Sequence, residues 1–470
     1  MASDTPNRLA AAKGVAPSIL FNGAGSQDQK NLWQIETQPD SNGAAGHRYY
    51  AEFINLVYSV YDKQTGNVVG KRVSDADFWR AAGFTDFSNI VDPRIVFIPD
   101  AGRGGQWLAI QLNMASNAKV LIATTDPNDR SADPTIGKWK AQAFDLPGND
   151  FSMLGYDLNA IYIGVNSDAA PGDGRWPQIV FIPREKALAY PPQVTKDDIK
   201  IIGPMPSNEY GLNLYPVIDQ SRAGWPYATA IGVDNITKSH LTFSLISPQF
   251  RQILSHGKIE VPAFEPVPMG FRVKQPRAYQ AVWWYGGSII SAPMADAFNI
   301  WLVQTVLKGN VVTGALALRW YRLYIDPMTR IPGLAATGEI YQEGYDHFNP
   351  SILSFGKDDY AVISLSRSGL SNPDPSDPAC GNLGAYVALV RETSSGSTSQ
   401  VFPVRSGLVS NYMMSTQYPK RWGDYSTISR DPDPAYPRRV WIVNQYALRG
   451  GQDTSAWCDA IAAIDVPTPG

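Results

Sequence analysis

Three aspartates, Asp40, Asp92 and Asp424, stand a few residues before apolar segments that are typical of short strands. Two of them have an arginine close by in the chain: Arg94 follows Asp92, and Arg421 precedes Asp424. Carboxylates in such positions could activate a water molecule or bind a cation. They could equally accept backbone N–H groups and tie neighbouring strands together. The sequence alone leaves both interpretations open.

The chain contains four histidines, of which His47 and His347 lie just before predicted inner strands. Because neutral imidazole is a common metal ligand, His47, His347 and Asp424 form a weak candidate metal set. Coincidental or surface positions explain the same histidines without a metal. Turns rich in Asp and Asn, such as 126–133 and 431–433, carry oxygen ligands that suit Ca²⁺, although aspartates in turns usually bond to their own backbone. No specific cofactor is therefore predicted, although Ca²⁺ or another divalent ion could bind.

A repeated unit must position these residues: a short strand, a polar turn and a second, more apolar strand. One copy runs from 94–99 through a Gly-rich turn into 106–112, and another runs from 425–429 into 439–444. Copies recur about every 60 residues along the chain. This period is too long for a solenoid coil and suits a four-stranded blade with long loops.

The sequence thus predicts an all-β chain that folds as a single β-propeller of seven blades, with six as the alternative. Strands such as 95–98 are apolar on both faces, so their sheet needs a neighbour on each side, which a ring supplies. A β-sandwich, whose strands have one wet face, fits this pattern less well. The whole chain, 1–470, is predicted to be one domain, with an N-terminal segment at 1–40 and blades at 41–470. Within that segment, 17–23 is expected to form a latch strand that pairs with the C-terminal strand and closes the ring.

Composition and charge exclude several classes of protein. Forty Lys and Arg against 43 Asp and Glu give a net charge of −3, which argues against a nucleic-acid partner. No apolar run reaches the length of a membrane-spanning helix. Residues 1–21 lack the apolar region of an export signal, so a cytoplasmic or virion location stays open. Cys380 and Cys458 could pair in an oxidising compartment, although their spacing does not show it.

Short segments along the chain are characteristic of one group of proteins: 39–47 (PDSNGAAGH), 53–57 (FINLV), 61–66 (YDKQTG), 92–96 (DPRIV) and 421–426 (RWGDYS). Together they resemble a family of bacterial β-propeller proteins described as sialidase-like or exo-α-sialidase-like, which are mostly exported. The resemblance extends over nearly the whole chain in blade order. It implies a propeller outside the cell or on its surface, and it specifies no chemistry.

True sialidase activity is not expected. That chemistry needs three converging arginines, a tyrosine nucleophile and an acid. Sialidases also normally carry repeated Ser-x-Asp-x-Gly-x-Thr-Trp boxes, of which 126–139 is at best a broken copy. Arg94, Arg319 and Arg421 are better explained as solvated or blade-bridging residues.

The predicted function is a recognition module, extracellular or on a particle surface, that binds a carbohydrate or a protein at one mouth of the central channel. The candidate mouth residues are Asp92, Arg94, His347, Arg421, Asp424 and Tyr425. One alternative is a hydrolase or lyase that acts on a glycan with the Asp, Tyr and His side chains of this mouth. The other alternative is a structural subunit of a larger surface or virion assembly. Since the catalytic set of a known enzyme is missing, the binding module is preferred and no catalytic residue is assigned.

Overall fold

The computed structural model describes residues 15–468 with a set of short gaps. The gaps are 36, 100–103, 115–117, 147–149, 168–175, 221–226, 277–281, 285, 287–288, 312, 357–358, 371–380, 394–395, 410–411, 413–420 and 450–454. Within the described residues the chain forms strands joined by turns and a few short helices. None of these helices is long and apolar enough to cross a membrane.

The first third of the chain supplies β1 (Pro17–Gly25), α1 (Ser26–Trp33), β2 (Gly43–Ala45), β3 (Tyr49–Ile54), β4 (Val57–Asp62), β5 (Val73–Ser74), α2 (Asp75–Ala81), β6 (Ile90–Ile98), β7 (Gln106–Asn113), β8 (Lys119–Thr125) and β9 (Trp139–Asp145). The middle supplies β10 (Asp150–Tyr156), β11 (Ala160–Ser167), β12 (Trp176–Pro183), α3 (Arg184–Ala187), β13 (Lys200–Ile202), α4 (Ser207–Tyr210), β14 (Tyr215–Pro216), β15 (Ile218–Asp219), β16 (Ala228–Asp234), β17 (His240–Ser247), β18 (Gln252–Glu260), β19 (Phe271–Val273) and β20 (Val282–Trp284). The last third supplies β21 (Met294–Asp296), β22 (Asn299–Lys308), β23 (Ala315–Ile325), β24 (Pro332–Ile340), β25 (Tyr345–Ser354), β26 (Ala361–Gly369), β27 (Gly384–Thr393), β28 (Gly396–Arg405), β29 (Thr427–Arg430), β30 (Arg439–Arg449) and β31 (Ser455–Asp465).

The fold is an all-β, single β-propeller in which five separate four-stranded sheets form the blades. These blades are β2–β5, β6–β9, β14 with β16–β18, β25–β28, and β29–β31 with β1. In each blade the strands pair antiparallel. The predicted architecture is therefore confirmed as a β-propeller, and the predicted number of seven or six blades is wrong.

The difference in blade number has a physical cause in a nine-stranded sheet. That sheet contains two antiparallel runs, β10–β13 and β21–β24. The two-residue strand β15 pairs in parallel with β10 on one side and with β21 on the other. Hydrogen bonds therefore continue across what the sequence repeat presents as separate units. The repeat shows where strands recur, but it does not show which neighbouring edges join.

Closure of the ring also differs from the prediction. The N-terminal strand β1 pairs antiparallel with β31 and becomes the outer strand of the last blade. This pairing lies within one sheet and joins it to no other sheet. The last blade meets the first through inner-strand bonds instead: the N–H of Gly43 donates to Thr427 Oγ1, and that of Ala45 donates to Ser429 Oγ. The expectation that terminal-strand pairing closes the ring is corrected accordingly.

Large apolar side chains fill the spaces between neighbouring sheets. One buried cluster joins Phe53 of the first blade to Trp107 of the second. The largest fully buried side chains include Trp79, Trp107, Trp139, Trp284, Trp301, Trp320, Trp422, Trp441 and Trp457. Most of the indole content therefore belongs to the core between blades.

The chain bends at a positive φ angle beside several inner strands. Asp92, Phe151 and Asn349 have φ angles of 54°, 60° and 56°, and each lies at a register irregularity near the start of β6, β10 or β25. Asp40, just before β2, has a φ angle of 50°. Asp and Asn tolerate this left-handed conformation better than most residues. Hydrogen bonds bring these bends together at one end of the ring: Asp92 accepts the N–H of Phe151, and Asn55 joins Asp40 to Asp92. The carbonyl oxygen of Asn349 accepts the hydroxyl of Ser426, two residues after Asp424, whose N–H donates to Asp40.

A buried ion pair holds the junction between the first and last blades. Lys63 Nζ lies 2.7 Å from Asp431 Oδ1, and it also donates to the carbonyl oxygen of Gly46. Asp431 accepts the indole N–H of Trp441 at 2.7 Å. Loss of one partner from such a pair leaves an uncompensated buried charge.

We expect Lys63→Met to lower the free energy of unfolding by about 3–5 kcal/mol, because Asp431 would be left buried without its cation. Urea denaturation checks this. Lys119→Met is the matched control: it breaks a pair with Asp145, whose side chain is 82% exposed, and should cost less than about 1 kcal/mol. Equal losses in the two variants would contradict the role of the Lys63 pair at the junction.

Candidate ligand-binding site at the channel mouth

A cavity of about 390 Å³ lies at the end of the ring where the inner strands begin. We call it the mouth pocket, and its polar wall includes Asp40, Asn55, Asp92, Asp150, Arg421 and Asp424. A second cavity of about 190 Å³, the channel cavity, is lined by the inner strands themselves. Asp424 lines both cavities and therefore lies in the wall between them.

Asp40 and Asp92 tie neighbouring sheets together. Asp40 Oδ1 accepts the backbone N–H of Asp424 at 2.8 Å, which links the first blade to the last. Asp92 Oδ2 accepts the backbone N–H of Phe151 at 3.1 Å, which links the second blade to β10. The structural interpretation of these carboxylates, as acceptors for backbone groups of the adjacent sheet, is thus correct for both residues.

Asn55 connects the two carboxylates. Its Nδ2 donates to Asp40 Oδ2 at 2.8 Å, and its Oδ1 accepts the backbone N–H of Asp92 at 3.0 Å. Asn55 lies in the turn between β3 and β4, outside every segment considered at the sequence level for the site. The only signal for it in the sequence is a polar residue between two apolar strands, which is a common pattern in turns.

Asp424 forms the part of the cluster that still has free hydrogen-bonding capacity. Its Oδ2 pairs with the guanidinium of Arg421, three residues earlier. Its Oδ1 is buried and has no hydrogen-bond partner among the described residues. A buried acceptor without a partner is costly, so a ligand group that donates to it would be favoured.

Arg94 and Tyr425 stack beneath this cluster. The Arg94 guanidinium carbon lies 3.4 Å from the centre of the Tyr425 ring. Its Nε donates to the carbonyl oxygen of Ser152 at 2.8 Å. Both side chains are buried and line the channel cavity. Their contact forms part of the channel-cavity wall beside Asp424.

The three carboxyl groups hold protons more strongly than ordinary aspartates. Burial raises the pKa of Asp92 to about 7, and the charges of Asp40 and Asp150 add to this shift. Burial, together with the charge of Asp40, raises the pKa of Asp424 well above its usual value. Burial also raises the pKa of Asp40, although Arg421 opposes the shift. The cluster therefore carries fewer negative charges near neutral pH than its composition suggests.

His347 does not lie in the mouth pocket. It is fully buried in β25, opposite Arg367 of β26, and lines neither cavity. Burial and the nearby Arg367 lower the pKa of His347 to about 3. The other five candidate mouth residues, Asp92, Arg94, Arg421, Asp424 and Tyr425, lie around the shared wall of the two cavities.

The candidate metal ligands are not brought together either. His47 is exposed in the turn that follows β2, and its ring meets Phe97 edge-on at 5.4 Å. It therefore lies at the opposite end of the inner strands from Asp40. No group of three or more His, Cys, Asp or Glu side chains in the described part of the chain is arranged to hold a metal ion.

The aspartates of the turn at 126–133 form hydrogen bonds with nearby backbone N–H groups. Asp126, Asp129 and Asp133 each accept an N–H from two residues further on, at 2.8–2.9 Å.

One cysteine of the predicted disulfide, Cys380, lies outside the described residues, so its pairing with Cys458 stays a prediction. Cys458 is buried, and its thiol donates to the carbonyl oxygen of Gly23 at 3.5 Å.

Comparison with known proteins identifies no family for this chain. No protein-family model matches it, and no curated protein matches it. Similar solved structures include hydrazine synthase of Kuenenia stuttgartiensis, with 10% identity, a TM-score of 0.41, and coverage of 87% of this chain and 94% of that chain. They also include a subtype N11 neuraminidase-like protein of A/flat-faced bat/Peru/033/2010 (H18N11), with 9% identity, a TM-score of 0.36, and coverage of 85% and 97%.

A third similar structure is α-L-arabinanase of Cellvibrio cellulosa, with 10% identity, a TM-score of 0.31, and coverage of 67% of this chain and 96% of that chain. No function transfers at such identities and TM-scores. None of these similarities supports the sialidase-like family in particular, and the assignment as a β-propeller rests on the strand pairing of the chain itself.

We compare the free energy of unfolding of the wild type with that of Asp92→Asn. We expect the advantage of the wild type to decrease as pH rises from about 4 to 7. A carboxyl whose pKa is raised in the folded state stays protonated while the unfolded chain ionises, so its contribution is fully present at low pH and is lost across this window. Across this pH window the advantage of the wild type in free energy of unfolding should decrease by at most roughly 4 kcal/mol. Urea denaturation at pH 4, 5.5, 7 and 8 measures it.

Asp145→Asn, at a mostly exposed carboxylate, is the matched control. Its free energy of unfolding should change with pH as that of the wild type does. A stability difference for Asp92→Asn that stays constant from pH 4 to 8 would show that Asp92 does not hold a proton in the folded state.

Proposed function

We propose that this protein is a ligand-binding β-propeller whose mouth pocket takes a carbohydrate. The observation that carries the proposal is the buried Asp424 Oδ1, which has no partner among the described residues and lies in the wall of a cavity large enough for a small molecule. A sugar hydroxyl donates to such an acceptor. The Arg421 guanidinium beside it can donate to ring or hydroxyl oxygens.

The rest of the mouth pocket suits the mixed surface of a sugar. Asp40, Asn55 and Asp92 form a fixed polar side, since each is held by bonds to the backbone or to each other. Ile35 and Met114 add partly exposed apolar surface, against which the C–H face of a pyranose ring can pack. A concave pocket with a few fixed polar groups is typical of small-molecule sites, whereas a protein partner usually needs a broader contact surface.

The proposal includes a location at which glycans are met, outside the cell or on a particle surface. The family resemblance of the sequence motivates this location. A recognition module needs no catalytic set, which agrees with the tying role of Asp40 and Asp92 in the ring.

We expect the wild type to bind at least one member of a mono- and oligosaccharide array, with saturable heat in calorimetry. Asp424→Asn should weaken that binding several-fold, since the amide changes the hydrogen bonding at this buried carboxyl group and one such bond contributes about 0.5–1.5 kcal/mol. Arg421→Gln should also weaken it. Asp145→Asn, far from the pocket, should bind as the wild type does. Binding that is unchanged in Asp424→Asn and Arg421→Gln, or an array without a single hit, would refute the proposal.

A second candidate function is favoured by one observation, the pKa of Asp92 near 7 within a carboxyl cluster. A general acid works best when its pKa lies near the operating pH, and glycoside hydrolysis pairs such an acid with an ionised carboxylate. In this interpretation Asp92 would protonate the leaving oxygen, and Asp40, whose ionised form is favoured by Arg421, would stabilise the positive charge that develops on the sugar ring. The bonds that already occupy Asp92 make this candidate weaker than binding.

If the mouth pocket is hydrolytic, turnover of nitrophenyl glycosides should fall on the alkaline side with an apparent pKa near 7. Asp92→Asn should abolish turnover while leaving saccharide affinity within a few-fold of the wild type. Absorbance assays from pH 4 to 9 measure this. The absence of turnover with any glycoside that binds would leave the protein as a binding module.

A further inference from the structure

The wall of the channel cavity is largely apolar, although it surrounds the axis of the ring. Val96, Ile218 and Ile428 belong to three different inner strands, and each is partly exposed towards this cavity. Ile290 and Ile352 complete the aliphatic lining. Aliphatic side chains that stay in contact with water cost free energy, which an apolar ligand would recover.

The polar side chains of the same wall are already occupied. Four of them accept a backbone N–H from a neighbouring strand at 2.8–3.1 Å: Asn42, Ser291, Thr427 and Ser429. Their hydrogen bonds serve contacts within and between sheets. A ligand in the channel cavity therefore meets apolar surface along most of its length.

The inner end of the channel cavity is polar and incompletely satisfied. The hydroxyl of Tyr425 is buried near the Asp92 carboxyl and makes no well-aligned hydrogen bond among the described residues. The Arg94 guanidinium stacks on the same ring, and Asp424 lies beside it in the wall shared with the mouth pocket. This end offers both a donor and an acceptor for one small head group.

We propose that the channel cavity binds a single-chain amphiphile, with its alkyl chain along the aliphatic wall and an uncharged hydroxyl head at Tyr425. The mostly aliphatic lining of this cavity suits an unbranched alkyl chain, which is narrow enough to lie along the inner strands. A hydroxyl head matches the Tyr425 hydroxyl, since each of the two groups can both donate and accept a hydrogen bond. This site is distinct from the mouth pocket and does not depend on carbohydrate binding there.

The test uses the full-length protein and n-alkanols from hexanol to dodecanol, each below its solubility limit, in titration calorimetry. We expect saturable binding with one site. The affinity should rise about fourfold for each added methylene, which corresponds to about 0.8 kcal/mol for each buried CH₂. An affinity that does not change with chain length, or heat that does not saturate, would overturn the proposal.

Variants locate the binding in the channel cavity. Val96→Trp and Ile428→Trp should reduce dodecanol affinity by about 10-fold or more by filling the cavity, while Ile236→Trp, at an exposed turn, should leave it unchanged. If circular dichroism shows that the tryptophan variants do not fold, Val96→Asn takes their place. It should lower the gain in alkanol affinity for each added methylene. Wild-type affinity in the folded channel variants would refute the site.

Tyr425→Phe tests the position of the head group. Alkanol affinity should fall several-fold because the hydroxyl contact is removed. The increase in affinity for each added methylene should stay as in the wild type. A loss of the chain-length dependence would place the alkyl chain, not the head, at Tyr425 and would overturn the proposed orientation. Alkanol binding in a protein that binds no saccharide would support this site and refute only the proposed function.

Discussion

The whole structure depends on sheets that are apolar on both faces. Every residue of β7 and of β11 is buried, including the residues on both sides of each strand. Such a sheet leaves no face for water and must have a neighbour on each side. Radial packing around one axis satisfies this requirement, and it brings the starts of the inner strands to one end of the ring. The mouth pocket is therefore a consequence of how the core is buried.

Radial packing creates a second requirement, because backbone N–H groups at the bends beside the inner strands point out of their own sheet. Asp40 and Asp92 satisfy N–H groups of adjacent sheets, and Asn55 joins the two carboxylates. This arrangement buries carboxyl groups, which raises their pKa values, and Arg94 and Arg421 offset part of the cost. Stability and ligand chemistry thus draw on the same side chains, so a role in the ring does not exclude a role at the pocket.

The alternation of apolar residues and the spacing of the repeat were enough to predict a propeller and to group Asp92, Arg94, Arg421, Asp424 and Tyr425. The number of blades could not be predicted, since it depends on β15, a strand of two residues whose pairing with β10 and β21 has no sequence signature. His347 precedes the bend at Asn349, where the register of β25 shifts. The direction of its side chain follows from that shift, which residue spacing does not reveal.

The segment 421–425 separates two kinds of surface near the axis. Arg421 lines the mouth pocket alone, Tyr425 lines the channel cavity alone, and Asp424 lines both. One short segment thus gives a polar wall to one cavity and a polar end to an otherwise apolar one. Because Asp424 is buried from both directions, its carboxyl group favours the protonated form. The layer between the cavities is therefore held by stacking and hydrogen bonds more than by full charges, which is compatible with the different polarity of the two proposed ligands.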